Sequence, residues 1–194
     1  MSIKLYDDAL IDKFRKWTQD THVTLTGVNT TSRLFSTIAD MNQDREIQLP
    51  IIALSRPGGF TIKDKYKQPR SYNGMKYVQT ASQAALVNLI GITIPYQIDV
   101  YTRYQEEADE YMRNIVFNII NYPKLQVEIP YEGLGKLHDS NIRIISDVDD
   151  NSDIPERVIP GQFTRYTLGI NIDDAYLFDV RLKDNMKIVE TAVV

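Results

Sequence analysis

Residues 94–129 constrain the fold more than any other part of this chain, because their apolar spacing switches from a period of two to a helical period and back again. Ile94, Tyr96, Ile98 and Val100 alternate with Pro95, Gln97, Asp99 and Tyr101, the pattern of a half-buried strand. Thr102 stands three residues before Gln105, the spacing of a capping box, and Glu106 and Glu107 put negative charge at the positive end of a helix dipole. A helix is therefore predicted over about 103–121. Its apolar stripe is Ala108, Tyr111, Met112, Ile115, Val116 and Ile119, with Glu107, Glu110, Arg113, Asn114 and Asn118 on other faces. Asn121 and Pro123 stop it, and Leu125, Val127 and Ile129 alternate with Gln126 and Glu128 as a return strand. A stripe of Met, Ile and Tyr at this spacing reads as core, so the block implies packing and carries no chemistry of its own.

On the N-terminal side, Tyr6, Leu10, Phe14 and Trp17 share one face of a helix predicted over 4–18, with Asp7 and Asp8 in its early turns. Residues 23–28 and 33–39 read as short strands. Residues 46–55 read as a better one, in which Pro50 implies a sheet edge or bulge. Residues 77–89 fit helix or strand: Ala81, Ala84 and Ala85 favour helix, whereas Val78, Val87 and the run 90–94 favour a strand continuing into the central one. On the C-terminal side, residues 141–146 read as a short strand with Ile142 and Ile144 on one face. Residues 162–173, with Tyr166, Leu168, Ile170 and Ile172 inward, and residues 176–182 read as a hairpin turning at Asp173 and Asp174. The expected fold is α+β: a mixed or antiparallel sheet packed by two main helices, in one domain over 1–194. Residues 183–194 are expected to form a C-terminal arm.

The chain has 194 residues, 43% of them hydrophobic, enough for a sizeable core. Twenty-six acidic against 22 basic residues give a net charge of −4, which lacks the overall footprint of a dedicated nucleic-acid binder. With no cysteine there is no disulfide framework, thiol nucleophile or thiolate metal site, in keeping with assembly in a reducing cytoplasm. The opening residues hold no signal-peptide pattern, and no stretch approaches the ~20 apolar residues that cross a bilayer, so no membrane partner is expected.

Charge is unevenly distributed along the chain. Over 56–76, Arg56, Lys63, Lys65, Lys67, Arg70 and Lys76 face only Asp64, and Pro57, Gly58, Gly59, Pro69, Asn73 and Gly74 punctuate the stretch. It reads as a long exposed basic loop or a splayed hairpin, a length that tends to carry function. Over 139–156, Asp139, Asp147, Asp149, Asp150, Asp153 and Glu156 face only Arg143. Asp147, Asp149, Asn151 and Asp153 occupy the first four ligand positions of a calcium-loop spacing. Ser152 stands where that loop needs Gly, and Val158 where it needs a closing Glu, so a polar loop is the better reading. No phosphate-binding glycine loop and no His-based catalytic pattern accompanies His22 or His138. The sequence thus points to no enzyme, cofactor or metal. The basic and acidic segments instead suit a head-to-tail ring in which Arg56, Lys63, Lys65, Lys67 and Arg70 meet Asp147, Asp149, Asp150 and Asp153 of the next copy. The plainer reading of both is solvated surface.

The run IPYQIDVYTRYQEEADEYMRNIVFNIINYPKLQVEIP, followed by TRYTLGINIDDAYLFDV, resembles small virion proteins of tailed bacteriophages, most of all the tail terminators or tail completion proteins. The resemblance covers roughly 94–180 and touches the first ninety residues only loosely. It implies a non-enzymatic structural protein that forms a ring, usually hexameric, on the finished tail tube. The implied partners are other copies of the chain, the tail tube or tail sheath protein, and the neck or connector proteins. DNA passing through the ring would make non-specific contact with the basic segment. The implied setting is the virion tail or neck, assembled in the host cytoplasm. Other neck adaptors, connectors and baseplate parts share related folds, and a calcium-binding accessory domain or enzyme using the acidic stretch is the alternative of another class.

Overall fold

The computed structural model describes residues 2–18, 22–26, 49–64, 67, 75–79, 84–128, 137–152 and 164–182. Among the described residues two helices, α1 (Ser2–Trp17) and α2 (Gln105–Asn121), pack on one sheet. Its strands are β1 (His22–Thr26), β2 (Ile51–Ser55), β3 (Thr61–Ile62), β4 (Met75–Gln79), β5 (Ala84–Thr102), β6 (Lys124–Glu128), β7 (Leu137–Asp150) and β8 (Thr164–Leu182). The order is β1-β2-β5-β8-β7-β6, with β3 and β4 added to β5 beyond the end of β2. Among the described strands only β1 and β2 run parallel; every other pairing is antiparallel. The fold is α+β, as the alternation of periods predicts.

The switch of period at 94–129 produces the expected strand, helix and strand. Ile94, Tyr96, Ile98 and Val100 are buried under the helices together with Ala108, Met112, Ile115 and Ile119 of α2 and Leu125 and Val127 of β6. Ile129 lies outside the described residues. Burying side chains of this size contributes roughly 1.5–3 kcal/mol each, which outweighs the weak intrinsic preference of either period. The capping box does not form. Thr102 Oγ1 donates to the Tyr104 carbonyl at 2.8 Å, and Tyr104 is an N-cap without a side-chain bond. Glu106 and Glu107 remain in the first turn, where they oppose the helix dipole.

In α1 the predicted face is buried through Tyr6, Leu10 and Phe14, and Trp17 stacks at a tilt on Phe14 with ring centroids 5.2 Å apart. The helix runs beside both β1 and β6, the two ends of the strand order, so the sheet curls and α1 bridges its edges. Tyr6 completes an edge: its hydroxyl accepts from the Tyr176 N–H at 2.8 Å and donates to the Tyr176 carbonyl at 3.3 Å. Burial raises the pKa of this phenol. No described helix is long and apolar enough to cross a membrane.

Several elements differ from expectation. β2 is no edge: it lies between β1 and β5 with all five residues buried, and Pro50 precedes it, beyond the ladder. The ambiguous 77–89 stretch is strand wherever it is described, and β5 runs unbroken for 19 residues. The basic stretch is not one long loop, because Thr61 and Ile62 pair with Thr93 and Ile92, and Met75 and Lys76 pair with Asn88 and Val87. The acidic stretch is not a loop at its start, because Asp147, Asp149 and Asp150 belong to β7, a 14-residue strand that outruns the predicted 141–146. The closing hairpin is absent. Residues 164–182 are a single strand along β5, and the Asp173–Asp174 signal for a turn becomes a bulge within it. The strand expected at 23–28 is β1 as far as Thr26, whereas residues 27–28, the strand expected at 33–39 and the arm at 183–194 lie outside the described residues.

Candidate functional site

The bulge in β8 gathers the densest set of charges. Ile92 pairs with Ala175 and Ile94 with Ile172, so Asp173 and Asp174 together oppose Thr93. Asp174 takes φ = 58°, the left-handed region that Asp tolerates better than most side chains. The two carboxylates splay apart. Lys63, just after β3, donates to Asp174 Oδ1 at 2.5 Å, while Arg143 of β7 donates to Asp173 Oδ2 at 2.6 Å. The Asp174 carbonyl accepts from His138 Nε2 at 2.7 Å, which places a proton on that ring nitrogen, and from Ser140 Oγ at 3.3 Å. The His138 ring stands edge-on to Tyr176 at 4.8 Å. Its hydrogen bond to Asp174 raises the Lys63 pKa, and the same bond holds Asp174 below the usual carboxylate range. The bulge therefore fastens β3 and β7 to β8, with each acid already matched to a base.

Two buried carboxylates serve packing in the same way. Asp7 of α1, its side chain only 6% exposed, accepts from Tyr96 Oη at 2.6 Å and forms an ion pair with Arg56, whose Nε lies 3.3 Å away. Burial first, and Asp7 second, push the Tyr96 phenol far above its ordinary pKa. On the opposite face of the sheet, Asp99 accepts from Gln97, from Thr167 at 2.7 Å and from Arg165 at 3.3 Å. Arg165 in turn lies over the Tyr101 ring at 5.5 Å. Buried acids without such donors would cost several kcal/mol, roughly 3–5 when one partner of a pair is removed.

The residues singled out in the sequence are thus dispersed. Arg56 is half-buried against Asp7, Lys63 holds Asp174, and Lys67 reaches Asp64 in an exposed pair at 2.7 Å. Asp147, Asp149 and Asp150 lie exposed on β7, where Asp149 pairs across the ladder with Thr167 and Asp150 with Tyr166. Asp150 accepts from the hydroxyl and the N–H of Ser152, which lower its pKa. The extended backbone of β7 at these positions does not wrap a cation as a calcium loop does. Lys65, Arg70 and Asp153 lie outside the described residues. Among the described residues no three His, Asp or Glu side chains converge to hold a metal. Sequence reading missed Asp7, Asp99, Asp173 and Asp174 as network centres. Asp99 carried one signal, as the lone acid on the polar face of an apolar strand.

One surface feature was also missed. Asn114 Nδ2 donates to the Trp17 carbonyl at 3.1 Å, tying the middle of α2 to the end of α1. Beside this tie lies an open groove of about 860 Å³, walled by Trp17, Tyr111 and Phe117 and rimmed by Glu107 and Glu110. Phe117 is 61% exposed there. No protein-family profile matches the sequence, and no curated protein matches it.

Proposed function

We propose that this chain is a structural virion protein of a tailed bacteriophage, a tail terminator whose copies form a ring, hexameric by the family's habit, that caps the tail tube and joins it to the neck. The observation that carries this reading is the sequence resemblance over 94–180, whose residues make one contiguous unit of β5, α2, β6, β7 and β8. The pairing of Asp7, Asp99, Asp173 and Asp174 with in-chain donors suits a part whose charges hold shape. The implied partners are further copies, the tail tube or sheath, and neck proteins, with DNA passing the channel. Other neck connectors or baseplate parts would share this architecture. The deciding experiment is imaging and mass measurement of the purified protein, alone and mixed with tail tubes. A ring, free or on one tube end, is expected. A protein that stays monomeric and ignores both tube ends overturns the terminator reading.

A further inference from the structure

Resting on the assembly reading above, we propose that the groove between α1 and α2 is the docking site for the basic segment at residues 63–70 of a neighbouring copy. Three aromatic rings wall the groove, and Glu107 and Glu110 outnumber Arg113 along it, whose guanidinium lies 3.9 Å from Glu110; Lys13 already stands over the Trp17 ring at 5.0 Å, a cation–π contact within the chain. An occupant that is cationic and carries an aromatic ring complements such a surface through ion pairs and cation–π contacts. Residues 63–70 read KDKYKQPR: four cations around Tyr66, with Asp64 the sole acid. Lys63 is engaged with Asp174, and the sequence supplies Lys65, Lys67 and Arg70 as the further cations of the segment. The Lys67–Asp64 pair is exposed and exchanges at little cost. Groove and segment are different surfaces of one chain, so their contact is heterologous, the kind that closes rings.

Trp17 is the only tryptophan in the chain and stands in the groove wall, so its emission reports occupancy directly. The full-length protein is titrated with a synthetic peptide of residues 63–70, which contains no tryptophan. A saturable change in Trp17 emission is expected, with affinity falling about tenfold or more in a Glu107→Lys, Glu110→Lys variant and in high salt. No response to millimolar peptide, or an equal response in the variant, overturns the proposal. Both substitutions fall on exposed helix surface, and circular dichroism of the variant is the check that it folds. In assembly with tail tubes, the same variant is expected to lose rings, and adding Lys65→Glu and Lys67→Glu to it is expected to restore them. Rings that form normally in the variant overturn the groove contact and leave the terminator reading standing. A wild-type protein that binds the peptide through Trp17 yet forms no ring overturns the terminator reading alone.

Discussion

Tyr96 shows how much one hydroxyl can decide. Its ring sits in the apolar layer between sheet and helices, at 1% exposure, while its Oη meets the Asp7 carboxylate that α1 carries inward. Arg56, directly after β2, adds an ion pair, so three distant positions converge on one buried charge. Tyr96→Phe preserves the ring's packing and removes the hydroxyl donor, and the expected cost is about 1.5–3 kcal/mol, as for a hydrogen bond to a charged group. The pH dependence adds a second readout. The folded-state pKa of Tyr96 is raised, by burial first and by Asp7 next, so the stability it contributes is complete below the unfolded tyrosine value of about 10 and is lost as pH rises beyond it. Urea unfolding followed by circular dichroism at neutral pH and above pH 10 should show a smaller alkaline loss in Tyr96→Phe than in wild type. Equal alkaline losses would remove Tyr96 as the source.

The elements differ in how readably the chain encodes them. α2 and β6 were legible because each satisfies its period with neighbouring residues: Met112, Ile115 and Ile119 fall on one helical face, and Leu125 and Val127 on one side of a strand. The continuity of β8 was not, since two adjacent acids are a turn signal locally. What makes them a bulge is Lys63, Arg143 and His138, supplied from β3 and β7 at separations of 30 residues or more. The same holds for the start of the acidic run, which becomes strand because β8 is long enough to pair with it through Leu168, Thr167 and Tyr166. Asp7 and Asp99 read as surface acids because Tyr96 and Arg165, which help bury them, lie 89 and 66 residues away. Helix α1 is the element on which the curl depends, since it bridges β1 and β6 while inserting Leu10 at full burial. Leu10→Ala is expected to cost about 2–5 kcal/mol through lost burial and the cavity left behind. If α1 holds both edges, hydrogen exchange should accelerate in β1 and β6 before β5 and β8; uniform acceleration would argue against an edge-bridging role.

At the scale of the whole molecule, the ion pairs set an acid limit that can be separated from general charge repulsion. Asp174, Asp64 and Asp150 all have pKa values below the ordinary carboxylate range, held respectively by Lys63, by Lys67, and by the Ser152 hydroxyl and N–H. A carboxylate depressed in the folded state contributes stability that is present above its unfolded value, about 3.9, and is lost as pH falls through the folded value. The urea midpoint should therefore decline as pH drops below about 4. Repulsion among the 22 lysines and arginines grows over the same window and would lower the midpoint of any variant. Lys63→Met separates the two effects, because it removes the leading cause of the Asp174 shift and only one of the many positive charges. The Lys63 and Asp174 side chains are 32% and 52% exposed, so solvent screening limits the pair to about 1 kcal/mol or less. The variant should be slightly less stable than wild type at neutral pH and converge with it as the pH approaches 3. If the difference instead stays constant through that range, the Lys63–Asp174 pair contributes nothing to the acid response, and its role is confined to placing β3 against the bulge.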